Sequence, residues 1–379
     1  MKRAAMCLCS TALALTACSQ ADSASPSNQT DVARGYELTP MVEGLDIVWG
    51  AAFLPDGDLL VTEREGDLHL IDDWQLVPTP IENTPDVLAE RQGGLLDIAL
   101  DPDFEANRLI YLSYSKGTRE ANSTAIARAR LSTDRTTLED VTDIFVGEFK
   151  KSGGAHFGGR LGFMDDGTLL LTLGDGFSYR DDAQKLTNHL GTIVRINTDG
   201  SVPPDNPFVG IEQARPEIWS YGHRNVQGLA FDRANDVVYA HEHGPKGGDE
   251  INIIRAGNDY GWPKVTYGID YSGVPISSRT TMEGVADPLH YWDPSIAPSG
   301  MAFYTGELFP QWQGDVFVGA LKMRKLVRLS LDGGKVTEEE DLLTELGERI
   351  RDVRMGPDGA LWLLTDSPRG KVYRMVPAK

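Results

Sequence analysis

The sequence predicts an all-β chain closed into a ring: a six-bladed β-propeller of four-stranded antiparallel blades. Three observations carry that expectation. Forty glycines and 21 prolines in 379 residues point to many turns and short strands rather than long helices. One phrase recurs six times along the chain: apolar residues, a turn of the Pro-Asp-Gly kind, then an apolar strand. A second strand of alternating character follows every copy, and a small antiparallel unit repeated at roughly 45 to 75 residues suggests propeller blades rather than a sandwich.

The copies run in order as AAFLPDGDLLVTER (51–64), DIALDPDFEANRLIYLSYS (97–115), LGFMDDGTLLLTLGD (161–175), GLAFDRANDVVYAHEHG (228–244), GMAFYTGELFPQWQGDVFVGAL (300–321) and VRMGPDGALWLLTDS (353–367). The strands that follow are GDLHLID, STAIARARLS, GTIVRINTDG, GDEINIIRAG, KLVRLSLDGG and GKVYRMVP. Their uneven spacing requires loops of very different lengths, and in a ring such loops gather on one face, where function resides. A seven-bladed ring stays open at this level, because the 111–160 and 245–300 intervals have room for another blade.

Ahead of the repeats stand two segments that do not belong to the fold. Residues 1–17 read as a lipoprotein signal peptide: Lys2 and Arg3 form the charged end, Ala4 to Ala17 the short apolar stretch. Leu15-Thr16-Ala17-Cys18 resembles a bacterial lipobox, in which Cys18 is lipidated and becomes the new N-terminus. An ordinary signal peptide that happens to contain a cysteine is the alternative. Residues 18–35 are small and polar and read as a lipidated, flexible tether, leaving 36–379 as the catalytic propeller. Ser19 rather than Asp follows Cys18, which resembles outer-membrane sorting in a Gram-negative bacterium. The expected location is therefore the cell envelope, on its periplasmic side, with the lipid as the only membrane contact. No run of 18 apolar residues is present to span a bilayer.

Charge and cysteine usage narrow the classes further. The formal net charge is −20, and removing Lys2 and Arg3 takes it to −22. That argues against sequence-independent binding to nucleic acid or to anionic membrane surfaces. Cys7, Cys9 and Cys18 are the three cysteines, so the mature body has none and no disulfide staples it.

The chemistry centres on His156 to Gly176, HFGGRLGFMDDGTLLLTLGDG. Two strands paired about the Asp166-Gly167 turn bring their far ends together, so His156 comes near Asp175. A carboxylate beside an imidazole fixes its tautomer and favours the protonated ring, as a general base requires. A structural histidine beside an unrelated turn aspartate is the plainer reading. HEHGPKGGDEINII (241–254) offers His241, Glu242, His243, Asp249 and Glu250 among glycines. His-x-His suits zinc, but no third nitrogen or sulfur ligand stands nearby. Carboxylates with exposed carbonyls suit calcium better, and a polar turn capped by acids remains the alternative.

In so acidic a chain, cations at strand ends stand out. Arg224 beside Asn225 in YGHRNVQG, Lys322 in GALKMRK, and Arg349 and Arg351 in ERIRDVR all fall there. Residues i and i+2 share a strand face, so Arg349 and Arg351 point the same way. Singly these are solvated rim residues; together they suit a ligand bearing several carboxylates or phosphates.

Taken in order, ERQGGLLDIALDPDF, HFGGRL with GDG nineteen residues after its histidine, SYGHRN, EHGPKGGDEIN, NDYGWP, SIAPSGMAFY, GALK and RIRDV resemble the soluble propeller-type aldose dehydrogenases that use pyrroloquinoline quinone (PQQ). The likeness covers roughly residues 40 to 377, and is closer to the broad-specificity bacterial members than to the glucose enzyme. It implies His156 as the base and Asp175 as its partner. It implies Gln92, Arg224, Asn225, Lys322, Arg349 and Arg351 as cofactor contacts, and Ser295 where a family threonine often touches the quinone. Carbonyls of Gly244 and Pro245 match ligands of a calcium ion (Ca2+) at the quinone, and Glu250 and Tyr260 resemble a second calcium site. The implied reaction is oxidation of aldose sugars at the anomeric carbon to lactones. His156 takes the hydroxyl proton, hydride passes to a quinone polarised by calcium, and the electrons go on to an acceptor such as a quinone or cytochrome.

Two other classes remain open on sequence alone. A calcium-dependent propeller lactonase also wants acids around a metal but has no use for four inward cations. A non-catalytic extracellular binding propeller shares the fold without the chemistry. For the tether, Cys18→Ser should release the protein from membrane pellets; equal sedimentation of mutant and wild type after a salt wash would rule out acylation as the anchor.

Overall fold

A computed structural model describes residues 1, 29–31, 35–148 and 150–379. Cys18, the lipobox and most of the tether lie outside the described residues. Among the described residues the strands form six antiparallel sheets, five of four strands and one of five. The first strands of the sheets are Val48–Phe53, Leu95–Leu100, Leu161–Phe163, Val226–Asp232, Pro298–Phe303 and Ile350–Met355. Each touches the next and the last touches the first, so these strands line the centre of a six-bladed propeller. The repeated phrase is the hairpin of this strand with its neighbour: Leu59–Glu63, Leu109–Gly117, Leu169–Thr172, Val237–Glu242, Val316–Ala320 and Leu361–Thr365. The 111–160 and 245–300 intervals hold outer strands and long connections, and no seventh sheet forms among the described residues.

The second strands are apolar on both faces because each blade is sandwiched between two others. Leu169 and Leu171 pack toward the preceding blade with Tyr111 and Ile126, whereas Leu170 packs toward the following one with Leu229 and Ala240. Leu60 faces Leu112 while Leu59 and Val61 face Trp362 and Leu364. A period of two thus sends alternate side chains to different blade interfaces, and each interface becomes one apolar cluster. The fourth strands show no such signal. Lys335–Leu342 is mostly exposed and acidic, and Gln75–Leu76 has two residues.

Closure joins the two ends of the chain. Ile350–Met355, Leu361–Thr365 and Gly370–Pro377 form three strands of the last blade, and Tyr36–Leu45 adds the fourth, from Tyr36 opposite Pro377 to Leu45 opposite Gly370, with register shifts between Pro40 and Val42 and between Glu43 and Leu45. Gln29–Asp31, inside the stretch read as tether, pairs with Tyr36–Leu38 as a fifth strand.

At the centre lies a buried ion cluster. Arg160 Nη1 stands 3.2 Å from Asp97 and 3.0 Å from Asp352, and Arg354 contacts the same two carboxylates at 2.5 and 2.6 Å. The Asp97 carboxylate also accepts the Leu161 N–H, and Arg160 Nε donates to the Gln227 carbonyl. Four of the six blades meet in this cluster. The approach is close: a Cβ on Gly50 would lie 2.4 Å from Asp97 Oδ1, and one on Gly300 2.0 Å from Asp352 Oδ1. Removing one partner leaves an uncompensated buried charge, so Arg160→Met should cost about 3–5 kcal/mol, read from the urea midpoint. A loss below about 1 kcal/mol would show that apolar interfaces alone hold the ring.

Candidate active site

In an antiparallel hairpin the start of the first strand and the end of the second lie at one edge. The residues singled out from the sequence occupy that edge in blade after blade. His156 precedes Leu161–Phe163 and Asp175 follows Leu169–Thr172; Arg224 and Asn225 precede Val226–Asp232 and Gly244 follows Val237–Glu242. Ser295 precedes Pro298–Phe303 and Lys322 follows Val316–Ala320. One mouth of the ring therefore collects them. A cavity of about 310 Å³ opens there, lined by Trp49, Gln92, Gln227, His243, Arg349 and Arg351 among others.

His156 Nδ1 lies 2.6 Å from Asp175 Oδ1, and both side chains are buried. The dyad is held from several directions. The His156 N–H donates to Gln92 Oε1 at 2.7 Å, the Phe177 N–H to Asp175 Oδ1 at 2.7 Å, and the Trp262 indole N–H to Asp175 Oδ2 at 2.8 Å. Asn225 Oδ1 takes the Gly158 N–H, tying the histidine loop to the next blade. His156 has φ of 54°, left-handed for a non-glycine residue, a strain kept only where its surroundings over-determine it. Gly174 permits the approach, since a Cβ there would stand 2.4 Å from the His156 carbonyl oxygen. His156 Nε2 makes no hydrogen bond among the described residues.

Electrostatics correct one expectation. Burial, and next the positive Arg224, push the His156 imidazole below its ordinary range, and the Asp175 hydrogen bond opposes them only in part. The ring is thus held neutral, ready to accept a proton, rather than pre-protonated. Burial alone would raise Asp175, but His156 and Arg224 hold its carboxyl below the usual range.

The cations divide into three settings. Arg349 and Arg351 do point the same way, at 2.6 and 3.2 Å from Asp366 Oδ2. Arg64 and Arg91 line the same cavity, Arg64 pairing with Glu65 at 2.8 Å, and Asp366 is the one carboxylate in the lining. Burial and the nearby Arg349 and Arg160 hold Arg351 below its usual range against the pull of Asp366, and its buried Nε has no hydrogen-bond partner. A polyanion with a flat ring system, such as PQQ, fits this wall of arginines with Trp49 beside it. Arg224 is buried; its Nη1 donates to the His243 and Gly244 carbonyls at 2.8 and 2.7 Å. Lys322 is exposed one residue beyond Leu321, which lines the cavity.

The two histidines of HEHG are structural. His241 Nε2 meets the Ser299 carbonyl and His243 Nε2 the Pro298 carbonyl at 2.5 Å, both across to the next blade. Burial, with Arg224 adding, pushes His243 down to about 3. Ser295 is also committed: its Oγ donates to Asp249 Oδ2 at 2.7 Å, while Asp249 Oδ1 accepts the Gly244 N–H at 2.8 Å. Ala297, not Ser295, lines the cavity. Gly244 and Pro245 are thus shaped by a buried carboxylate, and the Gly244 carbonyl keeps a lone pair beyond its bond to Arg224. Glu250 shares a small pocket with Glu242, Gly244 and Tyr260. Burial and the charge of Glu242 push Glu250 well up. Two carboxylates among carbonyls suit a hard divalent cation. The Tyr260 phenol is spent, donating to the Ile253 carbonyl and accepting the Arg255 N–H, so that residue has only its backbone oxygen to offer.

Several groups of this site escaped the sequence reading. Trp262 and Asp366 act through partners 87 and 17 residues away. Lys151 is buried near the dyad, its ammonium 3.5 Å above the Phe157 ring and 2.9 Å from Asn122 Oδ1, and burial pushes it down to about 7. Only the GDGF context around Asp175 carried any signal for Phe177, which flanks the histidine ring.

Residues 45–374 match the family described as Glucose / Sorbosone dehydrogenase. The aldose sugar dehydrogenase YliI of Escherichia coli is 46% identical over 340 residues, covering 88% of this chain and 91% of its own. Quinoprotein glucose dehydrogenase B of Acinetobacter calcoaceticus is 29% identical, covering 85% of this chain and 82% of its own. The PQQ-bound aldose sugar dehydrogenase of Streptomyces coelicolor superimposes with a TM-score of 0.75 at 29% identity, covering 90% of this chain and 98% of that one. With this fold, this site and a family match over nearly the whole ring, the chain belongs to the glucose/sorbosone dehydrogenase family.

Proposed function

We propose that this enzyme oxidises aldose sugars at the anomeric carbon to lactones, with PQQ and calcium bound in the mouth of the propeller. The observation that carries the reading is His156, clamped at Nδ1 by Asp175 and open at Nε2, next to a cavity walled by guanidiniums. Bound there, PQQ supplies a two-electron hydride acceptor and calcium a Lewis acid. Arg349 and Arg351, with Arg224, Gln92, Asn225 and Lys322 around them, hold the cofactor's carboxylates and orient it. Carbonyls of Gly244 and Pro245 hold one calcium, and Glu250 with the Tyr260 carbonyl a second. His156 takes the anomeric hydroxyl proton at Nε2, and Asp175 keeps the resulting imidazolium paired. A lactonase has no use for such an arginine wall. In the cell, lipidated Cys18 tethers the enzyme at the periplasmic face of the envelope, where a quinone or cytochrome takes the electrons.

Purified apoprotein given PQQ and calcium should reduce a dye with glucose and other aldoses and leave a lactone unhydrolysed. His156→Gln should bind PQQ and calcium nearly as wild type but reduce bound cofactor about 10²–10⁴-fold more slowly in a single turnover, the usual loss for a general base. Asp175→Asn should slow the same step less. Because burial and Arg224 lower the His156 pKa, the apoprotein ring should stay neutral on acidification to about pH 6.5 and gain its proton only below that, read by NMR. Turnover should then fall as the base is protonated. A wild-type rate of cofactor reduction in His156→Gln would exclude it as the base.

The socket has its own test. Arg349→Ala and Lys322→Ala should each weaken PQQ binding at fixed calcium by about 1.5–3 kcal/mol, roughly tenfold to over a hundredfold, through loss of a charge-assisted bond. Unchanged affinity in both would make them solvated surface groups.

A further inference from the structure

Most large apolar side chains of this protein are buried, but two aromatic rings beside the dyad are not. Phe177 is 47% exposed and Tyr271 60% exposed. Phe177 meets the His156 ring edge-on at 5.1 Å between centroids, and Tyr271 stacks loosely against Phe177, with centroids 6.4 Å apart and ring planes at 24°. Phe177 also has φ of 66°. A bulky residue in the left-handed region costs energy, and an exposed ring recovers little of it through burial. The conformation is nonetheless enforced, because the Phe177 N–H is hydrogen-bonded to Asp175.

Tyr271 is set with similar care. It sits in a tight turn closed by the Gly273 N–H on the Asp270 carbonyl and the Asp270 N–H on the Val274 carbonyl. Ile269 pairs both ways with Lys246, so the turn is rooted directly after Gly244-Pro245. Its phenol receives Arg224 Nη2 at 3.4 Å, and Arg180, from the Phe177 loop, reaches Asp270 at 3.4 Å. Two loops of different blades therefore hold their rings next to each other, immediately outside the group read as the base.

We propose that Phe177 and Tyr271 form an aromatic platform for the sugar ring and determine which aldoses the site accepts. The inference rests on the sugar-oxidising reading. A pyranose has one face of C–H bonds and a rim of hydroxyls; the C–H face stacks on an aromatic ring, and the hydroxyls remain free for water and polar partners. With Phe177 against His156, a sugar lying on it has an edge turned to His156 Nε2. Tyr271, one ring further out, meets whatever extends from that sugar, so Phe177 serves every aldose and Tyr271 the longer ones.

The test uses the full chain loaded with PQQ and calcium, a saturating artificial dye, and glucose and maltose as substrates. Phe177→Ala should raise KM for both sugars about 3- to 30-fold with kcat changed much less, as expected for lost stacking and apolar contact. Tyr271→Ala should raise KM for maltose more than for glucose. Phe177→Tyr and Tyr271→Phe should restore wild-type KM, which separates loss of the ring from loss of folding. Calorimetric binding of gluconolactone to wild type and both alanine variants gives a readout that needs no turnover. Weaker lactone binding in Phe177→Ala supports the platform even if wild type fails to oxidise aldoses, an outcome that would sink the sugar-oxidising reading instead. Unchanged KM and unchanged lactone binding in both alanine variants would overturn the platform and leave these rings as a contact for another protein.

Discussion

At the centre of the ring, Arg160 and Arg354 lie between Asp97 and Asp352, each cation touching both anions; Arg160 and the two aspartates are buried, and Arg354 is a quarter exposed. Such a cluster is costly to bury and tolerable only if every charge is met, so it constrains geometry more than it adds stability. Arg160 heads the hairpin whose ends are His156 and Asp175, stacks on Trp49 at 4.3 Å, and hydrogen-bonds the Gln227 carbonyl. Trp49 and Gln227 are themselves walls of the cavity. The depth and orientation of the site are therefore set from below by the same contacts that lock the blades together.

Above that layer the dominant effect is desolvation. It holds His156 neutral despite its aspartate, pushes Lys151 down to about 7, and pulls Arg351 below its usual range. A carboxylate beside a histidine is read by habit as raising its pKa. Here the fixed positive charge of Arg224 adds to burial and reverses the sign. A neutral ring is the state a base needs before it acts, and Asp175 stabilises the charge it acquires afterwards. Positive charge thus has two tasks, holding an anionic cofactor and keeping the base unprotonated.

Much of this was legible in the chain. The six hairpins were readable because their second strands must be apolar on both faces, as Leu169, Leu170 and Leu171 show by serving two different interfaces. The outer strands were not, since Lys335–Leu342 faces water and its pairing depends on a neighbour rather than on its own composition. Ser295 shows the limit of residue-by-residue inference. Its hydroxyl is preserved, but the structure spends it on Asp249 and lines the cavity with Ala297. Zinc at His241 and His243, already set aside for want of a third nitrogen or sulfur ligand, has a further obstacle in the fold: a backbone carbonyl of the next blade meets Nε2 of each ring.

By itself the sequence determined local geometry: a two-residue period, turns at Asp-Gly, and hence that His156 and Asp175 finish at one edge of one hairpin. Those are consequences of chain connectivity over a few residues, where sterics and alternation leave little choice. Only the tertiary structure decided what lies across the mouth. Trp262 reaches Asp175 from another blade, Asp366 bridges Arg349 and Arg351, and Arg64 and Arg91 complete the cationic wall. The protonation state of His156 belongs with these, because desolvation and electric field are sums over neighbours that the fold assembles from residues far apart in the chain.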